Sequence, residues 1–197
     1  MLPLDVAPLQ GDAASAARWL LGALLVRVLE DGTVLSGRIV ETEAYDQHDP
    51  ASHTYRGRTK RNAAMFGPAG RAYVYLSYGM HWCLNVTAGQ SGFGAGVLLR
   101  GLEPLEGVSV MESLRGGARG RLLTNGPGKL AQALAVTDAL YGHDLTLPPL
   151  QLFGGGRVPQ RDTVTTTRIG LSRGAEAPLR FFIRDSPWVS RKAPLLN

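Results

Sequence analysis

The dipeptide Asp31-Gly32 stands between two strand-forming runs, residues 24–30 and 33–45, and it limits the fold more than any other feature of the chain. Asp-Gly between alternating apolar residues is a strong local signal for a β-hairpin closed by a type I′ turn. In the second arm the alternation is clearest near its end. Successive strand side chains point to opposite faces, so Ile39, Glu41, Glu43 and Tyr45 are expected on one face and Val40, Thr42 and Ala44 on the other. Turn residues recur throughout: 25 Gly and 12 Pro cut the remainder into short pieces. Residues 12–23 predict an amphipathic helix capped by Asp12 or Ser15. Residues 46–60 read as a long polar loop, and 62–66 as a short helix capped by Asn62 and ended by Gly67-Pro68. Strands are expected at 71–78 and 81–88 around Tyr78-Gly79-Met80, then at 97–102 after a flexible 89–96 connection. Helices follow at 106–114 and at 127–135, the second with Pro127 in its first turn; a basic Gly-rich loop, 115–121, lies between them. Strands at 150–153, 163–169 and 179–183 complete the chain. The strands do not alternate with helices in βαβ units. The expected class is therefore α+β: a curved, mainly antiparallel sheet flanked by short helices and long loops.

A chain of 197 residues fits one domain, taken as 1–197, and is long enough to bury a core without disulfides. The longest apolar run, residues 19–26, is far shorter than the roughly 18 residues that span a bilayer. The first ten residues lack a basic stretch and carry Asp5, which argues against a secretory signal. With Cys83 as the only cysteine, there is no intramolecular disulfide and no cysteine-based zinc site. A reducing intracellular setting is expected: a bacterial cytoplasm, or a nucleus in a eukaryote, and not secretion. The net charge is +5, and 18 of the 21 basic residues are arginine. Arginine's planar fork suits phosphate, so the balance points towards nucleic acid. A GC-rich genome gives the same skew without functional meaning.

Several residues could carry chemistry. Glu43, at the end of a strand beside a polar loop, is placed to act as a general base for water; an ordinary exposed or ion-paired carboxylate would look alike in sequence. Asp46, His48, Asp49 and His53 are dense in possible metal ligands, but their spacing matches no standard site. Tyr73, Tyr75 and Tyr78 fall close together before His81 and Trp82. Strand aromatics can stack on unpaired bases, and a tyrosine at a hairpin tip can wedge into a base stack. Tyr73 could equally be core, since aromatics favour strands. Asn85, on a face with His81 and Cys83, could test a base edge through its amide. Arg100, Arg115, Arg119, Arg121 and Lys129 could line a phosphate track, or be scattered surface charges.

Taken together, residues 20–27, 37–53, 61–86, 96–107, 125–134 and 179–190 resemble the alkyladenine (3-methyladenine or methylpurine) DNA glycosylase family, in the family's order and over nearly the whole chain. VETEAY (40–45) and YVYLSYGM (73–80) carry the resemblance most specifically. It implies that Glu43 deprotonates the water that attacks the sugar C1′, and that Arg100 helps place that water. It implies that Tyr45, His53 and Tyr75 hold a flipped base, and that Asn85 rejects normal guanine by clashing with its 2-amino group. Tyr78 would fill the gap left in the stack. Arg58, Arg61, Met80, Arg121 and Lys129 are expected along the DNA backbone. His81 stands where some members carry another tyrosine, and the 45–53 loop is a residue shorter than in some. No cofactor and no metal are implied. The expected partner is double-stranded DNA containing damaged purines of the 3-methyladenine, 7-methylguanine or hypoxanthine type, bound by a monomer.

Flipping a nucleotide out of the duplex costs a few kcal/mol. Stacking on the tyrosines and His53 returns roughly 1–3 kcal/mol per base, with a cation–π gain for a positively charged purine. Cleavage passes through an oxocarbenium-like sugar, which an ionised Glu43 can stabilise while it accepts a proton from water. No lysine lies in the Glu43 or Tyr75–Asn85 motifs, so a monofunctional enzyme that leaves an abasic site is expected. Two other readings use the same residues: a metal-dependent phosphodiesterase built on Glu41, Glu43, Asp46, His48 and Asp49, and a DNA-damage-binding module without catalysis.

Overall fold

The computed structural model describes residues 4–191. Asp12 caps the first helix, α1 (Ala13–Trp19): its side chain accepts from the Ser15 N–H at 2.8 Å. The helix ends well before residue 23, because Gly22 takes a left-handed φ of 84° and turns the chain into β1 (Leu24–Val28). β1 pairs with the long β2 (Val34–Asp46) as an antiparallel hairpin. Its turn differs from the type I′ expectation. Gly32 alone has positive φ, its N–H donates to the Leu29 carbonyl, and Leu29 N–H donates to Thr33. That is a three-residue loop with glycine at the left-handed position.

Ala63–Phe66 forms one 3-10 turn, and Asn62 does not cap it. Instead the Asn62 amide donates to the carbonyls of His53 and Gly57 and accepts from Thr59 N–H, tying the preceding loop together. β3 (Ala72–Ser77) and β4 (His81–Thr87) form the second hairpin. Here both Tyr78 (φ 49°) and Gly79 (φ 68°) are left-handed, the condition for a type I′ turn. β5 (Ala95–Glu106) runs much longer than expected. It continues through Pro104 because β4 pairs it only as far as Leu98, so the proline lies where that flank has no strand to receive an N–H. Gly107 (φ 71°) then starts α2 (Val108–Leu114), and α3 (Pro127–Ala133) follows. β6 (Leu150–Phe153), β7 (Thr163–Thr166) and β8 (Arg180–Ile183) complete the sheet.

All strand pairs are antiparallel, in the order β3-β4-β5-β2-β1-β6, with β8 on β2 and β7 on β8. One edge of β2 serves two neighbours: β1 along residues 34–38 and β8 along 41–43. The switch coincides with register shifts against β5 on either side of Glu41. Bulges of this kind bend a strand and increase its twist. They also correct the simple alternation expected for β2. Ile39 joins Ala44 in the core packed by the helices, and Thr42 donates from that face to the Ala17 carbonyl of α1 at 2.9 Å. Glu41 and Glu43 project from the opposite face. α1 packs on β2 and β5, and α3 on β4 and β5. No helix among the described residues is long and apolar enough to cross a membrane.

Candidate active site

Glu43 is wholly buried, and its carboxylate has three donors. Oε2 accepts from Arg100 Nη1 at 3.1 Å and from the Tyr45 hydroxyl at 2.8 Å; Oε1 accepts from the Ile169 backbone N–H at 2.8 Å. Arg100 reaches Glu43 from the neighbouring strand β5, at the point where the bulge leaves it opposite the two glutamates. Burial pulls the Arg100 pKa down, but the charges of Glu43 and Glu41 reverse this and hold it above its ordinary value. Tyr45 is held well above the usual phenol range by burial first, then by the Glu43 charge and hydrogen bond. It is therefore a neutral donor to Glu43 at any ordinary pH. Its ring is backed by the Arg168 guanidinium, 4.5 Å from the ring centroid. Arg168 is itself clamped by both oxygens of Asp49 and by the carbonyls of Ala44 and Gly174.

In front of Glu43 lies a cavity of about 410 Å³, lined among others by Tyr45, His53, Tyr73, Tyr75, Asn85 and Arg100. The β3 pleat puts Tyr73 and Tyr75 side by side, with rings stacked at 5.6 Å and 28°. His53 stands edge-on to Tyr75 at 4.5 Å and shares a hydrogen bond of 2.8 Å with the Tyr73 hydroxyl. Partial burial, with Arg61 nearby, lowers the His53 pKa and keeps the ring neutral near pH 7. Burial pushes the Tyr73 phenol up to about 12, and that of Tyr75 higher still. Asn85 is buried on β4, its amide nitrogen donating to the Tyr73 carbonyl at 3.1 Å. The pocket is thus an aromatic slot with Arg100 in its wall, and the Glu43 carboxylate lies directly behind Tyr45, Arg100 and Ile169, which line it.

Of the other residues singled out in the sequence, Tyr78 and Arg61 line the cavity. Tyr78 stands at the hairpin tip, 89% exposed, next to Met80 at 70%. A non-glycine residue with left-handed φ is a strained position, of the kind that clusters at functional sites. Arg61 reaches over the Tyr75 ring at 5.9 Å and lines the cavity. Lys129, on α3, donates to Asn125 at 2.8 Å; its pKa is lowered by burial and by Arg115 and Arg121, which places those three cations near one another. Gly128 of the same helix lies against His81, whose Cβ would be 2.9 Å from any added Cβ. Arg58 is exposed on the 46–60 loop, and Arg119 is exposed beside Glu112 at 3.7 Å.

The dense His/Asp cluster does not converge. Asp46 accepts from the His48 N–H, Asp49 binds Arg168, and His53 binds Tyr73. Among the described residues no group of three or more His, Cys, Asp and Glu side chains is placed to hold a metal. Sequence reasoning passed over Arg168, Arg180 and Ser190. Glu41, open in sequence to an exposed, Arg-paired or metal-binding role, is fully buried and paired, among Arg100, Arg180 and Ser190. The one available signal was its place two residues before Glu43 on the same strand.

Residues 7–187 match the model of the family described as Methylpurine-DNA glycosylase (MPG). A protein of Carboxydothermus hydrogenoformans, provisionally named a 3-methyladenine DNA glycosylase, is 50% identical over 182 residues, covering 92% of this chain and 95% of its own. A protein of Methanoculleus marisnigri with the same provisional name is 47% identical over 97% of this chain and all of its own. One of Rubrobacter xylanophilus, named likewise, is 52% identical over 83% of this chain and 85% of its own. The fold and these matches define an enzyme of DNA repair, a DNA glycosylase that acts as an N-glycosyl hydrolase. Within that class the chain belongs to the methylpurine-DNA glycosylase family. The reading as a non-catalytic binding module is set aside accordingly.

Proposed function

We propose that this chain flips alkylated or deaminated purines, of the 3-methyladenine, 7-methylguanine or hypoxanthine type, out of duplex DNA. It then hydrolyses the N-glycosidic bond with a water activated by Glu43. The observation that carries this reading is the buried Glu43 carboxylate held by Arg100, Tyr45 and Ile169 N–H, three residues that line the aromatic slot. At about 410 Å³ the slot falls in the roughly 300–1,000 Å³ range of small-molecule pockets.

The base enters between Tyr45 on one side and Tyr75 with His53 on the other, which sets its C1′ towards Glu43. Glu43 accepts the proton of the attacking water and its charge faces the developing oxocarbenium ion. Arg100 fixes the carboxylate and helps place the water. Asn85 excludes guanine by its amide. Tyr78 fills the gap in the stack, and Arg58, Arg61, Met80, Arg121 and Lys129 hold the strand around it. Among the described residues no lysine lines the cavity, which supports water as the nucleophile and an abasic product. The protein acts as a monomer in the compartment that holds the DNA.

The test is single-turnover base release, with EDTA present, from a duplex carrying one hypoxanthine or one 3-methyladenine. Wild type is expected to release the base. Glu43→Gln is expected to bind the duplex and release nothing. Release by the variant at the wild-type rate removes Glu43 from the role of base.

A further inference from the structure

The buried charge cluster behind the pocket has a second carboxylate that the proposed chemistry does not use. Glu41 is wholly buried and accepts four hydrogen bonds. Its Oε1 accepts from Arg180 Nε at 2.6 Å, Arg100 Nε at 3.3 Å and the Ser190 hydroxyl at 2.8 Å; its Oε2 accepts from Ser190 N–H at 2.5 Å. Ser190 also accepts from Arg100 Nη2 at 3.3 Å. Arg100 is therefore held at three points: Nε on Glu41, Nη2 on Ser190, and Nη1 on Glu43. The segment bearing Ser190 is seated by close backbone contact. A Cβ at Gly101 would stand 2.7 Å from the Trp188 carbonyl oxygen and 3.1 Å from Glu41 Cβ.

The number of donors on Glu43 gives this arrangement its meaning. An ionised carboxylate offers about four acceptor sites. Arg100, Tyr45 and Ile169 fill three of them, leaving one on Oε1 for the proton of a water. A guanidinium free to rotate prefers the bidentate fork on a carboxylate, which would fill that last site.

We infer that Glu41, locked by Ser190 and Arg180, is a positioning residue that keeps Arg100 monodentate on Glu43 and so preserves one acceptor site for the attacking water. This rests on Glu43 acting as the base. The charged and titratable groups facing Glu43 are Glu41 and Tyr45 on β2, Arg100 on β5, Arg180 opposite it on β8, Tyr75 on β3, and Arg168 with Asp49 from the flanking segments. Glu41→Gln removes the charge that holds Arg100 Nε and frees the guanidinium to turn onto both oxygens of Glu43.

The experiment measures single-turnover release from a hypoxanthine duplex across pH, together with the dissociation constant for that duplex's abasic product. Wild type, Glu43→Gln, Glu41→Gln and Ser190→Ala are compared. Glu41→Gln is expected to slow release about tenfold, the scale of one lost charged hydrogen bond. Product binding should be unchanged. Ser190→Ala, which keeps both charges, is expected to slow release about threefold on the same scale without altering binding. A wild-type rate in Glu41→Gln overturns the inference, as does a loss of rate matched by an equal loss of binding. If Glu41→Gln does not fold, Ser190→Ala decides alone, and an unchanged rate overturns it. A fully active Glu43→Gln brings down the reading of Glu43 instead, which separates the two failures.

Discussion

At the scale of residues, the site is a set of side chains each fixed by a neighbour. Tyr45 is the clearest case: Glu43 holds its hydroxyl, and Arg168, clamped by Asp49, backs its ring. Asp49→Asn leaves the buried Arg168 guanidinium without its counter-charge. The expected loss is about 3–5 kcal/mol of stability, as for breaking other buried pairs, and chemical denaturation checks it. His53 supplies a pH test. Its pKa is lowered in the fold by burial and by Arg61, so below the unfolded value of about 6.5 the unfolded chain binds more protons than the native one. Stability is therefore full above about 6.5 and falls as pH drops from there to the lowered folded value. Urea titrations from about pH 7.5 to about pH 5 should show this slope, and His53→Gln should flatten it. That Glu43 and Tyr45 share a strand face was legible from their spacing of two, and their side chains hydrogen-bond. The burial of Glu41 was not, because its partners Arg180 and Ser190 lie 139 and 149 residues along the chain.

At the scale of elements, strand positions were read well and turns and ends less so. Both hairpins sit where alternation and turn residues put them, but their turn types do not follow the usual preferences. The Asp-Gly pair closes a three-residue loop, whereas two consecutive left-handed residues occur at Tyr78-Gly79. The local preference of tyrosine gives no hint of this, because the backbone there is set by the hairpin. Tyr78→Gly is therefore expected to relieve about 1 kcal/mol of backbone strain while removing the exposed wedge. Thermal unfolding should show no loss, and lesion-duplex binding should weaken. The bulges of β2 were equally invisible to a period-2 pattern: they arise where that strand exchanges β1 for β8 as its neighbour. Asp12→Ala, at the α1 cap, should cost about 1 kcal/mol at neutral pH. The cap's hydrogen bonds hold the Asp12 pKa below its ordinary value, so this difference should shrink as acid protonates the native carboxylate.

At the scale of the whole molecule, the fold separates two tasks. The helices and one sheet face make the apolar core, and the opposite face of β2 and β5 carries the charge cluster and the aromatic slot. The curved, mainly antiparallel α+β class was legible, since no segment of the chain reads as βαβ; the seating of β8 on β2 was not, because that pairing is long-range. The excess of basic residues gives +5; Arg61 lines the pocket, and Arg115, Arg121 and Lys129 form a separate group of cations. Affinity for duplex DNA should fall linearly on a log–log plot against salt. Replacing Arg121 or Lys129 by alanine should reduce the slope by about 1 each and leave the single-turnover release rate unchanged at saturation. The central claim is that the slot in front of Glu43 receives the flipped base. A crystal structure of the Glu43→Gln variant on a duplex with one hypoxanthine tests it most directly. The account predicts the base between Tyr45 and the Tyr75–His53 pair, with its C1′ facing position 43 and Tyr78 in the vacated stack. A hypoxanthine still stacked in the duplex, or bound anywhere other than this slot, would contradict it.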